Sequence, residues 1–200
     1  MTTEQKDQER YEIRLSGSGG QGLITAAVVF AEAVGVYDGK YVCQTQSYGP
    51  EARGGKSKAE VVISSMPIDY PKALELDLLL AMNQAACDAY FYDLKPNGLL
   101  VVDGGLVEQH PTSRIIAIPF TRIAKEEIGR ELVANMVALG AIGLLSGRID
   151  LGNLERALLA RVPKGTEEMN SKALQCGIEE ARKINLDDLP RAVMSDDDEV

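Results

Sequence analysis

The sequence has few cysteines, a single histidine and fewer basic than acidic residues, 21 against 30. Many metal, redox and nucleic-acid-binding proteins depend on these residue types. Its three cysteines, Cys43, Cys87 and Cys176, are far apart and form no C-x-x-C pair. A disulfide framework is therefore not expected, and the chain alone cannot supply four thiolates to an iron–sulfur cluster. The single histidine, His110, has no metal-ligand cluster around it and no Ser–His–Asp partners. We therefore expect neither a metal site nor a catalytic residue on this chain.

The charge balance and the lack of long apolar runs exclude further classes. A formal net charge of −9 disfavours nucleic acid as a partner, because phosphate binding needs a basic surface. The longest apolar run, Leu132 to Leu145, is interrupted by Asn135 and falls short of the ~20 residues that span a bilayer. The first ten residues are too polar for a signal peptide. We therefore expect a cytoplasmic protein with no membrane contact.

The acidic residues are concentrated at the carboxyl terminus. Residues 187–200 contain six acidic side chains and one base, Arg191. A polar, charged segment buries too little apolar surface to fold, which predicts a disordered tail. The remaining chain, residues 10–186, is predicted to form a single domain.

Hydrophobic periodicity predicts alternating strands and helices. Two segments alternate with the period of a strand, and two continuous apolar runs suit strands buried on both faces. The predicted strands are 11–15, 41–45, 58–64, 76–82, 99–102 and 114–118. The predicted helices are 23–36, a short one within 83–98 ended by Pro96 and Gly98, 121–128, 130–146, 151–162 and 166–184. Because a loop and not a helix joins the second and third strands, we expect a three-layer α/β fold with a mixed, mostly parallel sheet, a Rossmann-like variant.

A glycine-rich turn follows the first predicted strand. Gly17, Gly19 and Gly22 fit the pattern G-x-G-x-x-G, which can bring a phosphate close to the backbone at the start of a helix. A dinucleotide site also needs an acid about 20 residues further on, and the second predicted strand ends in glutamines. The sequence alone leaves two interpretations open: a ligand contact, or a tight strand-to-helix turn only.

A second loop, QSYGPEARGG at 46–55, combines three glycines with a planar cation, Arg53. Ordering so many glycines costs backbone entropy, so such a loop usually borders something. Arg53 suits a phosphate or a carboxylate, although by spacing alone a solvated charge on a long turn is the favoured interpretation.

Taken together, the motifs resemble the gamma subunits of the 2-oxoacid:ferredoxin oxidoreductases. The resemblance covers residues 10–185 and is strongest for the 2-oxoglutarate type. It is carried by GSGGQG (17–22), SYGPEARGG (47–55), NQAACDAY (83–90), NMVALGA (135–141) and PKGTEEMNSKAL (163–174). It implies one subunit, inactive alone, of an enzyme that converts 2-oxoglutarate, coenzyme A and oxidised ferredoxin to succinyl-CoA, CO2 and reduced ferredoxin.

The resemblance also implies a division of labour. Thiamine diphosphate, Mg²⁺ and the iron–sulfur clusters would lie on alpha, beta and ferredoxin-like delta subunits, and VDGGL at 102–106 only half resembles a thiamine motif. This chain would help to close the active site and bind coenzyme A. The residues implied for that contact are Gly17, Gly19, Gly20, Gln21, Gly22, Tyr48, Arg53, Gly54, Gly55 and Asn83. An independent Rossmann-like nucleotide-binding protein and an assembly-only subunit are the alternatives.

Overall fold

A computed structural model describes residues 10–48 and 56–190 of the chain. The strands are β1 (Tyr11–Ser18), β2 (Tyr41–Tyr48), β3 (Lys56–Ser64), β4 (Leu76–Ala81), β5 (Leu94–Asp103) and β6 (Ile115–Ile118). The helices are α1 (Leu23–Glu32), α2 (Gln84–Tyr90), α3 (Phe120–Ile123), α4 (Ala134–Ser146), α5 (Leu151–Arg161) and α6 (Glu167–Arg182). Helices α1 and α3 each continue into a π-helical turn, Ala33–Tyr37 and Ala124–Ile128.

The six strands form one mixed sheet in the order β2-β3-β1-β4-β5-β6. Strands β1, β4, β5 and β6 are parallel neighbours, whereas β3 runs antiparallel to both β1 and β2. The predicted mixed, mostly parallel α/β sheet is therefore confirmed. All strands except β3 end at the same edge, which we call the carboxyl edge.

Five of the six helices pack on one face of the sheet and enclose the larger core. Phe30 of α1 and Phe120 of α3 are completely buried there, together with apolar residues from five of the strands. Helices α4 and α6 cross with their backbones in contact, because a side chain at Gly140 or Gly177 would overlap a carbonyl of the other helix. Glycine at these two positions therefore allows the close packing of the two helices.

The second face is covered, among the described residues, by the short helix α2 and by loops. Its apolar part contains Leu79, Leu100 and Cys87. Its polar part contains the buried ion pair of Arg14 and Glu60, 2.8 Å apart between Nη2 and Oε1. Burial alone would raise the pKa of Glu60, but hydrogen bonds and charge from Lys58 and Arg14 outweigh it and lower that pKa.

Two predicted boundaries were wrong. The helix predicted to end at Pro96 and Gly98 ends at Tyr90, because Leu94 already pairs with Leu76 in the sheet and starts β5. The predicted disordered tail begins too early: Leu186–Asp188 form a 3₁₀ turn, and Arg114 donates to the carbonyl of Pro190 at 3.2 Å. Residues 191–200, the rest of the predicted tail, lie outside the described residues. No described helix is long and apolar enough to cross a membrane.

Candidate functional site

A cavity of about 260 Å³ opens at the carboxyl edge of the sheet. In open α/β sheets, ligands bind beyond the carboxyl ends of the strands, where the connecting loops converge. The wall brings together residues that are more than 100 positions apart in sequence. It consists of Gly20, Gln21, Met82, Leu106, Thr121, Glu131, Leu132, Ala134 and Asn135.

The glycine-rich turn between β1 and α1 forms one wall of the cavity. Gly20 and Gly22 have φ of 93° and 71°, in the left-handed region that glycine adopts without strain. The carbonyl oxygen of the Gln21 side chain accepts a hydrogen bond from the backbone N–H of Ser18 at 2.7 Å. That side chain fills the space where Gly17 has no Cβ. The predicted motif, with the exposed Gly19, is therefore a turn held closed by Gln21.

Asn135, near the start of α4, joins this turn to α4 by a hydrogen bond. Its Nδ2 donates to the carbonyl of Gly22 at 3.0 Å, and the residue is only 7% exposed. A side chain at Gly22 would overlap Nδ2, so glycine is required there for space as well as for φ. The turn before α1 and the start of α4 thus form a single unit.

Asn83 lies next to the turn but has both ends of its amide engaged within the protein. Its Oδ1 accepts from the N–H of Ala86 at 2.8 Å and caps α2, while Nδ2 donates to Ser18 Oγ at 2.7 Å. Asn83 therefore holds the start of α2 against the end of β1. A direct ligand contact by Asn83 stays a prediction.

Asp103, at the end of β5, holds the opposite wall. It is fully buried, and its Oδ2 accepts from the N–H and the hydroxyl of Thr121 at 2.9 and 2.5 Å. Its Oδ1 accepts from the N–H of Gly105 at 3.0 Å. The same carboxylate thus fixes the start of α3 and the loop that carries Leu106. The half-thiamine motif VDGGL is in this fold a structural turn.

The described lining of the cavity is mostly uncharged. Glu131 is the one charged side chain among the described residues that line it. Neither Gly22 nor Val133, the residues preceding α1 and α4, provides a side-chain hydrogen bond to the helix start. Backbone N–H groups at helix starts favour acceptor groups of a ligand. The cavity can therefore hold a largely apolar group that also forms hydrogen bonds.

Part of the predicted second loop lies outside the described residues. Arg53, Gly54 and Gly55 are among these, so their contribution to a site stays a prediction. The described ends of the loop are close to the turn, because Tyr48 pairs with Ser57, which in turn pairs with Gly17. The two predicted loops therefore start from neighbouring positions at the carboxyl edge.

Sequence reasoning missed most of the cavity wall. Of its members, Gly20 and Gln21 were predicted, whereas Met82, Leu106, Thr121, Glu131, Leu132, Ala134 and Asn135 were not. Asn135 had a signal, because it breaks an otherwise apolar run and buried polar residues need a reason. The exposed Leu132 and Leu106 had none, since their proximity depends on the tertiary fold.

The sheet order disfavours a dinucleotide site of the Rossmann kind. In that fold, the second strand lies parallel to and beside the first, and its end carries the acid that holds the ribose. Here β3 lies between β1 and β2 and runs antiparallel to both. No residue of β2 is acidic. The glycine turn thus has no neighbouring ribose-binding strand.

The cysteines and the histidine show no sign of a reactive centre in the described chain. Burial, with a smaller effect of Asp88, raises the pKa of the Cys87 thiol, and burial likewise raises the pKa of Cys176. His110 is exposed, with Nδ1 3.3 Å from the carbonyl oxygen of Thr112. The described residues include no group of three or more His, Cys, Asp or Glu side chains that could hold a metal ion.

Comparison with known proteins gives a consistent result over nearly the whole chain. The family model for pyruvate ferredoxin/flavodoxin oxidoreductase matches residues 12–180. The chain is 49% identical over 179 residues to the 2-oxoglutarate synthase subunit KorC of Methanocaldococcus jannaschii. The match covers 88% of this chain and 96% of that protein.

Two solved structures share the fold. The gamma subunit of a keto/oxoacid ferredoxin oxidoreductase from Geobacter sulfurreducens is 50% identical, with a TM-score of 0.81 over 88% of this chain and 98% of that one. The 2-oxoglutarate:ferredoxin oxidoreductase of Magnetococcus marinus is 24% identical, with a TM-score of 0.79 over 93% of this chain and 33% of that one, which shows a common fold. This chain belongs to the pyruvate ferredoxin/flavodoxin oxidoreductase family.

Proposed function

We propose that this chain is the gamma subunit of a 2-oxoacid:ferredoxin oxidoreductase of the 2-oxoglutarate type. The observation that carries the proposal is the 49% identity to a 2-oxoglutarate synthase subunit, which extends over 96% of that protein. The complete enzyme would convert 2-oxoglutarate, coenzyme A and oxidised ferredoxin to succinyl-CoA, CO2 and reduced ferredoxin. Pyruvate synthase subunits are less similar, at 30% identity over 178 residues.

We assign the thiamine diphosphate, Mg²⁺ and iron–sulfur chemistry to alpha, beta and ferredoxin-like delta subunits. The residues of this chain do not fit those groups. Three cysteines fall short of the four thiolates that hold a cluster. Asp103, the acid of the half-thiamine motif, has both oxygens engaged by N–H and O–H donors of its own fold. The chain alone would therefore be inactive.

The contribution of this chain would be to hold part of coenzyme A and to close the active site. A cavity of about 260 Å³ is smaller than the 300–1,000 Å³ typical of sites that enclose a drug-sized ligand. It can therefore enclose only a segment of a molecule as large as coenzyme A, and partner subunits must supply the remaining walls. Two of its lining side chains, Leu132 and Leu106, are 74% and 43% exposed, as expected for a site completed by another chain.

Purification of the chain alone and in the assembled complex tests the proposal. The isolated chain should be colourless and should not oxidise 2-oxoglutarate, even with thiamine diphosphate and an electron acceptor added. A native pull-down should recover alpha, beta and delta subunits, and that complex should reduce ferredoxin. Turnover by the pure chain, or recovery of no oxidoreductase subunits, would contradict the proposal. Cytoplasmic location stays a prediction from the polar amino-terminal sequence.

A further inference from the structure

Asn135 uses one end of its side-chain amide and leaves the other end unmatched. The carbonyl oxygen of Gly22 can only accept a hydrogen bond, so the Asn135 NH2 group must face it, and Oδ1 must point elsewhere. Among the described residues, no donor contacts Oδ1. The side chain therefore presents a free acceptor from a position that its donor end fixes.

This free acceptor is not sealed from solvent. Within the described chain, no side-chain nitrogen or oxygen is both sealed from solvent and without a hydrogen-bond partner. The unpartnered Oδ1 must therefore reach open space, although the residue as a whole is only 7% exposed. Asn135 is one of the residues that line the cavity.

Gln21, within the glycine turn, has the complementary arrangement. Its carbonyl oxygen accepts from the N–H of Ser18, so its NH2 group points away from that contact. No described residue accepts from this NH2 group, and Gln21 also lines the cavity. Two side chains of the wall thus have one free acceptor and one free donor, which are the two groups that an amide requires.

The described charge of the remaining wall disfavours an anionic guest. Met82, Leu106, Leu132 and Ala134 are apolar, and the one charged side chain of the described lining, Glu131, is acidic. A phosphate would meet an acid and no cation in this part of the site. An uncharged aliphatic segment would bury apolar surface against the same residues.

We propose that Asn135 is a specificity-determining residue that accepts a hydrogen bond from an amide N–H on an otherwise aliphatic, uncharged arm. The inference rests on the proposed function, because coenzyme A carries two such amides on the arm that ends in its thiol. The arm would enter the cavity, and the charged nucleotide would stay outside it. A site built to accept a hydrogen bond rejects a ligand that lacks the donor.

The test uses the assembled complex and two analogues of coenzyme A, in each of which one amide N–H of the arm is replaced by an ester oxygen. The wild-type complex should have a KM for one of the two analogues roughly tenfold to a hundredfold above that for coenzyme A. With Asn135→Ala, the KM for coenzyme A should rise. The KM for that analogue should then be within about threefold of the KM for coenzyme A. Asn170→Ala is the matched control, because Asn170 is equally buried but bonds only Thr166 in the described structure. In this control, the ratio of the analogue's KM to the KM for coenzyme A should stay at the wild-type value.

The outcomes separate this inference from the proposed function. Equal KM values for coenzyme A and both analogues in the wild-type complex would overturn the role of Asn135, whether or not the variant folds. The role of Asn135 would also be overturned if the Asn135→Ala complex still had a much higher KM for the analogue than for coenzyme A. If the proposed function itself fails, Leu132→Asp at the cavity rim will leave the KM for coenzyme A unchanged. If only the inference fails, Leu132→Asp will raise the KM for coenzyme A and for both analogues by the same factor.

Discussion

The side chain of Asn135 and the carbonyl of Gly22 are joined by a hydrogen bond of 3.0 Å, although the two residues are 113 positions apart. The bond connects the buried helix α4 to the turn from which α1 begins. Gly22 has a left-handed φ and no room for a side chain beside Nδ2, so both partners are constrained. This contact fixes the shape of the cavity wall before any ligand or partner binds.

Substitution of Gly22 by alanine should destabilise the chain more than substitution of Gly20. Both have a left-handed φ, which costs a non-glycine residue about 1–2 kcal/mol. A Cβ at Gly20 would meet open space, whereas one at Gly22 would overlap Asn135. We expect Gly22→Ala to lower the free energy of unfolding by about 1–3 kcal/mol more than Gly20→Ala, since overpacking adds to strain. Urea unfolding measures both.

A double-mutant cycle shows whether that excess arises from Asn135. In an Asn135→Ala background the overlap is absent, so Gly22→Ala should cost no more than Gly20→Ala. An equal cost of Gly22→Ala in both backgrounds would mean that the clash has no energetic weight.

Asp103→Asn should destabilise the fold although it changes a single atom. Asp103 is fully buried and accepts three hydrogen bonds, from Gly105 N–H and from the N–H and hydroxyl of Thr121. An asparagine would turn an NH2 group towards one of these donors, and an unsatisfied buried donor costs about 1–3 kcal/mol.

Asp150→Asn is the matched control for this substitution. Asp150 caps α5 at the surface through Asn153 N–H, and asparagine caps a helix about as well as aspartate. Its free energy of unfolding should therefore stay close to that of the wild type. Equal effects of the two substitutions in thermal unfolding would contradict the structural role of Asp103.

Glu60→Gln should lower the free energy of unfolding at neutral pH. It should also make that free energy depend less on pH in the acid range. The pKa of Glu60 is lowered in the folded chain, so its stabilisation is present above the unfolded pKa and is lost as the pH falls through the folded one. Loss of the charged hydrogen bonds to Arg14 and Lys58 should cost about 1.5–3 kcal/mol at pH 7. Urea unfolding from pH 7 to pH 3 should show the variant and the wild type converging. A constant difference over that range would exclude a charge effect.

The sequence predicted what depends on local pattern. Alternation at Tyr11–Leu15 and Lys58–Ser64 and the apolar run from Leu76 gave strands that the structure confirms. The end of α2 was predicted too late, because pairing of Leu94 with Leu76 overrides the local signals of Pro96 and Gly98. Leu189, in the predicted tail, packs against the core, which an acidic composition cannot reveal.

The candidate site could be predicted only in its continuous part. Gly20 and Gln21 belong to a motif that is visible along the chain, and they line the cavity. Leu106 follows the end of β5 and Leu132 precedes the start of α4, and both line the same cavity, although nothing in their local sequence marks them. Asn83 matched a family motif, but its amide is engaged by Ala86 and Ser18, a use that follows from geometry and not from residue type.

The KM for coenzyme A in complexes assembled with Leu132→Asp tests the central claim, that this chain holds coenzyme A at the carboxyl edge of its sheet. Leu132 is 74% exposed at the cavity, so the substitution should not impair folding, and Leu159→Asp on α5, 40% exposed and outside the cavity lining, is the control. We expect a rise of roughly tenfold or more in the KM for coenzyme A with Leu132→Asp and an unchanged KM for 2-oxoglutarate. Neither constant should change with Leu159→Asp. An assembled Leu132→Asp complex whose KM for coenzyme A equals that of the wild type would contradict the central claim.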